Sequence, residues 1–440
     1  MITRLLLANA LELCIGLGVV CALRVPLGTA YLVGLVVVGI VSAHLALVHV
    51  AVGWTLLAIM AAASLAVGYR FRPPLRRPGR ETLWSCAGVA LLGALLVHAW
   101  PTFAAKPLDN YDGWAMWGMK AKALFLLGWA DPGLFASRGA EQLHLDYPLL
   151  IPSLDAVASR AMGGFDPRLI HLQFLLDGVA AFAAFAALLR RRAPGWLAWP
   201  FLLALAAAPA VTGQLLTAYA DIPLALLVAA GLLAAAGWLE DGAWPLLALA
   251  TLFFAGAVLT KNEGVIFVAA AYVGLLVATG RWRPLLISAA GVALALAPWQ
   301  IWLHLHHVHS DTLLGLQLFE IHHPGIGPLA FRALVHQAVR LDTWPLLVPL
   351  FLAAVAAAAR SRLALFASVW FLLSMVGLAW IYLVSKVEWS NYFGFSGDRV
   401  IDSVVVGATV LTPLLAAQAV KRVGSRRASS VRSGRLLRLP

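Results

Sequence analysis

Charge is scarce in this sequence: Asp, Glu, Lys and Arg make up 12% of 440 residues, and only 20 are acidic. Soluble domains need a charged, hydrated surface, so this deficit excludes a chain of two or three of them. The cysteines Cys14, Cys21 and Cys86 lie inside apolar segments and lack the paired spacing of a disulfide framework or zinc knuckle. No GxxxxGK[ST] loop is present, so ATP-driven chemistry is not expected. Short alternating segments are missing too, which disfavours a lipid-facing β-barrel, and no repeat of solenoid period is visible.

Hydrophobicity is what abounds, at 62% of residues with a mean hydropathy of +0.87. Since roughly 20 apolar residues cross one bilayer, the chain reads as an all-α, polytopic membrane helix bundle. Thirteen candidate spans are expected, at 5–23, 28–47, 50–69, 84–101, 168–189, 196–214, 222–239, 244–260, 264–279, 284–303, 343–359, 363–384 and 400–419. Residues 1–23 resemble a signal peptide but precede equally apolar segments, so a retained first helix is expected.

The net charge of +12 would suggest nucleic acid in a soluble protein. Here most basic residues sit in short loops, among them Arg70, Arg72, Arg76, Arg77, Arg80, Arg190, Arg191, Arg192, Arg281, Arg283, Arg360 and Arg362. The positive-inside bias makes these loops cytoplasmic, with an outward N-terminus and no nucleic-acid partner. Residues 1–83 are then accessory N-terminal spans with a basic cytoplasmic loop, 84–420 the main transmembrane module, and 421–440 a disordered basic tail held near anionic lipid. The long loops 102–167 and 304–342 face outward, and function is sought there.

In LDNYDGWAMWGMKAKALFLLGW (Leu108–Trp129), helical spacing puts Trp114, Trp117, Gly118, Ala121, Leu124, Phe125 and Gly128 on one stripe. An interfacial helix with its tryptophans at headgroup depth is expected, flanked by Lys120 and Lys122. These lysines either snorkel to bulk lipid or reach the phosphate of a lipid-linked substrate. Asp109 and Asp112 precede the helix. Helix capping needs one of them, and the pair beside lysines and tryptophans favours a general base. HLDYPLLIP adds His144, Asp146 and Tyr147 before a second interfacial helix at 149–163, with Tyr147 available to stack on a sugar.

TAYADIPLAL places Asp221 at the outer start of a span, as an N-cap or as a group positioning the acceptor or a metal. LTKNEG sets Lys261, Asn262 and Glu263 between two apolar runs, either as an internal salt bridge or facing a polar cavity. His304, His306, His307, His309, His322 and His323 form a patch without a characteristic ligand spacing, so no cofactor is required and a divalent metal is the minor alternative. Asp177, inside an apolar run, is expected to face the bundle interior.

Together, YDGWAMWGMKAKAL, HLDYPLLIP, TAYADIPLAL and LTKNEG resemble the bacterial branch of the C superfamily (GT-C) of membrane glycosyltransferases, related to protein O-mannosyltransferases and lipid A aminoarabinose transferases. The resemblance covers about residues 84–303. It implies transfer of a sugar, with inversion, from a polyprenyl-phosphate donor to a hydroxyl of a glycan, lipid or protein acceptor on the outer face of a bacterial cytoplasmic membrane. It also implies Asp112 as base, aided by Asp109 and Asp221, with Lys120, Lys122 and Lys261 toward the donor phosphate. Trp114, Trp117, His144, Asp146, Tyr147 and Glu263 complete the expected substrate site. Two departures are that Asp109 and Asp112 are not an adjacent acidic pair, and that the large soluble C-terminal domain of some relatives is not expected. The alternatives are a flippase or transporter of lipid-linked saccharides, and a surface-polysaccharide polymerase or ligase.

Overall fold

The structure is a computed structural model describing residues 1–71, 81–137, 144–308 and 319–436, with the backbone alone for 81, 82 and 423–436. The expected basic residues Arg72, Arg76, Arg77 and Arg80, and His309, lie outside the described residues.

Among the described residues every regular element is a helix. The first four are α1 (Ile2–Leu23), α2 (Ala30–Leu47), α3 (Trp54–Tyr69) and α4 (Glu81–Ala105). A π-helical segment (Asp112–Gly118) leads into α5 (Met119–Leu127), followed by α6 (Pro132–Phe135) and α7 (Leu150–Met162). The middle of the chain forms α8 (Pro167–Leu189), α9 (Gly195–Ala206), α10 (Pro209–Leu215), α11 (Asp221–Asp241), α12 (Trp244–Val258), α13 (Gly264–Thr279) and α14 (Trp282–Leu305). Last come α15 (Gly327–Ala338), α16 (Leu347–Ala357), α17 (Arg362–Val384), α18 (Trp389–Ser396) and α19 (Asp402–Leu436).

Apolar runs fold this way because a helix satisfies its backbone internally, which lipid cannot do for it. Among the described residues eight helical segments are long and apolar enough to cross a membrane, or nine when α9 and α10, bent by 51°, are taken as one broken span. This is a multi-pass membrane protein. Each of the thirteen expected segments falls on a helix or on that bent pair, but α3, α12, α13 and α16 have only 16, 15, 16 and 11 residues. At about 1.5 Å per residue these four are shorter than a hydrocarbon core of roughly 30 Å, so thirteen full spans do not follow.

The central helix is α11, buried from Asp221 to Trp238 and packed against α8, α12, α13, α17 and α19. Its 21 residues reach about 30 Å and separate two chemically different ends of the bundle. At the Asp241 end, Arg192 pairs with Glu240 and Asp241, and Arg281 and Arg362 line a polar pocket beside them. At the other end the α11 start meets Asp112, Lys261 and Arg399.

Three expectations change. The helix α7 does not lie on a surface: all its residues except Arg160 are buried, packed against α1, α2, α5 and α8. Trp117 is also inside, 1% exposed, whereas Trp114 is 50% exposed. Bonding from i to i+5 in the π-helix alters the angular step, so the two tryptophans no longer share a stripe. The first helices pack into the bundle, α1 on α7 and α2 on α7, α8, α12 and α14. Finally, α19 continues helically to Leu436 across the segment expected to be disordered, and no proline interrupts it after Pro413 within that helix.

Candidate functional site

The site starts from a backbone approach. A Cβ on Gly113 would lie 2.2 Å from the Thr217 carbonyl oxygen, so only glycine lets the π-helix dock on the segment preceding α11. In that segment Ala218 holds a left-handed φ of 55°, a strained conformation for a residue with a side chain. Docking brings Asp112, from the first long loop, to the start of α11.

Arg399, in the turn before α19, joins them. Its Nη1 lies 2.6 Å from Asp112 Oδ2 and 3.9 Å from Asp221 Oδ2, while its guanidinium covers the Tyr219 ring at 4.5 Å. Asp221 Oδ1 accepts from Lys261 Nζ at 2.8 Å, and Lys261 reaches Glu263 at 3.2 Å. The result is one chain of alternating charges, Asp112, Arg399, Asp221, Lys261 and Glu263, drawn from four separate parts of the polypeptide. Its accessibility is graded: Asp112 and Arg399 side chains are 20% and 15% exposed, while those of Asp221, Lys261 and Glu263 are 4%, 9% and 7%. The chain is therefore open at the Asp112 end and closed at the Glu263 end.

The electrostatics follow from that pairing. Burial alone would weaken the Arg399 guanidinium, but Asp221 and Asp112 outweigh it and hold the group above its ordinary range. For Lys261, burial again opposes the charge, and Asp221 with Glu263 more than restores it. Both cations stay charged at any accessible pH. Burial, then the Asp112 carboxylate, pushes the Tyr219 phenol up.

A second layer comes from HLDYP. Asp146 Oδ2 accepts from Asn262 Nδ2 at 2.7 Å and its carbonyl accepts from Trp299 Nε1 at 3.1 Å. Leu150 N–H donates to the Leu259 carbonyl at 2.9 Å, so the HLDYP and LTKNEG segments are tied by side chains and backbone. Tyr147 stacks between His144 and Trp117 at 4.9 and 5.6 Å, and its hydroxyl approaches Glu263 at 3.5 Å. Burial, then Glu263, pushes that phenol well above its usual range, so it remains a hydroxyl.

The lysines differ. Lys120 is fully buried, donates to the carbonyls of His144 and Tyr147, and lies 5.4 Å from the Trp117 ring centre. It positions the HLDYP loop, in which His144 holds a left-handed φ of 47°. Lys122 is exposed. Asp109 stands apart, 53% exposed and 2.9 Å from Lys106, whose hydrogen bond holds its carboxyl below the usual range.

Arg399 is not among the site residues expected from the sequence. The signal available was an arginine directly before an apolar run, in GDRVID, where a charge needs a partner. Asp402, on the first turn of α19, was missed as well; it is fully buried with neither carboxyl oxygen hydrogen-bonded among the described residues.

Of the histidine patch, His306 packs on Trp302 and His323 Nε2 bonds the Val387 carbonyl at 2.9 Å. Among the described residues no three His, Cys, Asp or Glu side chains are grouped to hold a metal ion.

No family model, no curated protein and no solved structure matches this chain.

Proposed function

We propose that this protein is a membrane glycosyltransferase of GT-C type that moves a sugar from a polyprenyl-phosphate donor to an acceptor hydroxyl at the bilayer boundary, on the outer face of a bacterial cytoplasmic membrane. The observation that carries the reading is the convergence of Asp112, Asp221, Lys261 and Arg399 from four distant segments, with the carboxylate of Asp112 at the accessible end.

In this reading Asp112 takes the proton of the acceptor hydroxyl as its oxygen attacks the anomeric carbon. The carbon–oxygen bond to phosphate breaks on the opposite face, its electron pair leaves with the lipid phosphate, and configuration inverts. Phosphate is a good leaving group, so the remaining need is stabilisation of its charge. Arg399 fits that need better than Lys120 or Lys122: it is planar, permanently charged and 15% exposed, and it adjoins the base. Turning from Asp112 to a bound phosphate, it would release Asp112 to act as base at the moment the donor is seated. Lys261 then keeps Asp221 neutralised. Tyr147 and Trp117 support the sugar side of the site through the stacked layer.

The rival reading, a flippase or transporter of lipid-linked saccharides, draws on one observation. Glu12 and Asp177 lie near the midpoints of α1 and α8, 22 and 23 residues long, at the depth where transporters place polar groups. One experiment separates the two. Purified protein in liposomes receives a polyprenyl-phosphate sugar labelled in the sugar, with candidate acceptors. Label appearing on a new hydroxyl supports transfer, and Asp112→Asn should remove it, since proton transfer of this kind is worth about 100- to 10,000-fold. Label crossing the bilayer still attached to its lipid, with no product, overturns it.

A further inference from the structure

Beneath the charged site, on the side of the bundle formed by α1, α2, α7 and α8, lies a second polar constellation that the transfer reading does not use. Asn9 Nδ2 donates to Gln173 Oε1 at 2.9 Å, and Gln173 Nε2 donates to Asp177 Oδ1 at 2.9 Å and to Asn9 Oδ1 at 3.3 Å. The Tyr31 hydroxyl donates to Asn9 Oδ1. Glu12, one helical turn from Asn9, is 2% exposed, and its Oε2 has no hydrogen-bond partner among the described residues. Through Asn9 and Gln173 this turn of α1 is tied to Asp177 on α8. Asp155, 2% exposed, is buried on α7 next to Leu154. Asp177 also borders a cavity of about 20 Å³ with Leu32, Leu150, Leu154, Pro223 and Leu226, space for roughly one water.

Cations are missing from this picture. Among the described residues no Lys, Arg or His lies within 4 Å of Glu12, Asp155 or Asp177 in an ion pair. The basic groups on the packed elements are turned elsewhere. Arg160 on α7 donates to the carbonyls of Leu124 and Val52, His44 on α2 bonds the Ala295 carbonyl, and His171 on α8 bonds the Lys106 carbonyl. Arg168 on α8 pairs with Asp166, and Arg4 on α1 lies beside Gly163. The other described acids on elements packed against α8 are Asp221, which Lys261 neutralises, Glu240 and Asp241, which pair with Arg192, and Asp402 at the start of α19. Further titratable groups on the packed elements are Cys14 and Cys21 on α1, Tyr69 at the end of α3, Cys86 and His98 on α4, Lys120 and Lys122 on α5, Arg283 and His304 on α14, and Lys421 and Arg422 on α19. An isolated carboxylate in such surroundings costs several kcal/mol even after relaxation, and three would repel each other as well.

We propose that Glu12, Asp155 and Asp177 form a proton-binding site in the interior of the bundle, occupied by carboxylic acids in the resting protein and able to exchange a proton with the medium. A proton is the ligand that burial favours, because a neutral carboxylic acid needs no counter-cation. An orphaned, buried Glu12 oxygen is far less costly on a neutral carboxylic acid than on a carboxylate. For Asp155, burial and then the Asp177 charge push its carboxyl well above the usual carboxylate range, which agrees with the geometry. The site is joined to the other by two rigid elements. The helix α7 carries Asp155 and begins just after Asp146 and Tyr147, and α11 carries Pro223 and Leu226 one to two turns beyond Asp221. Ionisation in the cluster would therefore shift the helices that hold the HLDYP loop and Asp221. The acids would hold their protons whether or not the protein transfers a sugar.

Infrared spectroscopy of the full chain in lipid tests it directly. At neutral pH the wild-type protein should show protonated carboxylic-acid carbonyl bands that move on transfer to heavy water and fade as pH rises. The Glu12→Gln, Asp155→Asn and Asp177→Asn variants should each lose part of that absorbance, and their melting temperatures at neutral pH should match wild type, because a neutral amide replaces a neutral acid of the same shape. An absorbance undiminished in the triple variant, or missing from wild type at neutral pH, would overturn the proposal. So would melting temperatures that drop in all three single variants and rise with sodium in wild type, since that would mean ionised carboxylates holding a cation.

Discussion

Removing Arg399 should disturb this protein more than removing any other exposed-end charge, and the size of the effect can be worked out. Its guanidinium is 2.6 Å from Asp112, 3.9 Å from Asp221 and 4.5 Å from the Tyr219 ring centre. Truncating one partner of a buried pair costs about 3–5 kcal/mol, chiefly because the other charge is stranded. Side-chain exposures of 15% and 20% at Arg399 and Asp112 let water relieve part of that, which points to the lower end. The lost Tyr219 contact adds about 1 kcal/mol. Arg399→Ala is therefore expected to destabilise the protein by about 3–4 kcal/mol, whereas Asp112→Asn should cost about 2 kcal/mol, because Arg399 keeps Asp221 as a neighbour. Combined, they should show a coupling of about 2 kcal/mol, in the range measured for close charge pairs. Equilibrium unfolding in mixed micelles of the wild type, both single variants and the double variant supplies the cycle. In the transfer assay each single variant should fall about 100- to 10,000-fold and the double variant no further, since the two groups act as a unit. A coupling below about 0.5 kcal/mol would mean the two sites behave independently, and the paired-charge account of the site would be wrong.

Other expectations follow from single contacts. Gly113→Ala forces a Cβ to within 2.2 Å of the Thr217 carbonyl and should cost about 1–3 kcal/mol while loosening Asp112 from Asp221, read as a lower melting temperature with reduced transfer. Asp109→Asn should leave both transfer and melting temperature at wild-type values, because its partner Lys106 lies with it in solvent; a loss like that of Asp112→Asn would bring Asp109 into the mechanism. Because the folded protein holds Asp155 above the carboxylate range, the native state binds a proton that the unfolded chain has released at neutral pH. Stability should then fall as pH rises from the ordinary carboxylate value toward the folded one, and Asp155→Asn should flatten that slope in unfolding measured across pH.

How far the site could be read in advance depended on distance along the chain. Asp112, Asp221 and Lys261 were recognisable because each polar residue stands at the edge of an apolar run, where lipid would otherwise make it costly. Arg399 has the same local signature, but its partners are 287 and 178 positions away, and nothing local says that it reaches Asp112. Lys120 shows the opposite limit. Spacing put it beside a membrane-facing stripe, but the π-helical geometry of Asp112–Gly118 turned it inward onto two carbonyls. The expected interfacial helix at 149–163 has no local feature that distinguishes lying on a bilayer from packing inside the bundle, because both bury an apolar face.

The sequence by itself determined the helices. A run of about 20 apolar residues in lipid has no way to satisfy its backbone except along its own axis, so composition dictates secondary structure and, with the basic loops, two unlike ends. Only the tertiary structure decided which charges meet. Ion pairs such as Asp112 with Arg399 and Lys261 with Asp221, and the amide and carboxyl network between α1 and α8, depend on how helices far apart in sequence pack. Packing follows from the shapes of many side chains at once, among them a missing Cβ at Gly113, and no window of sequence carries that sum.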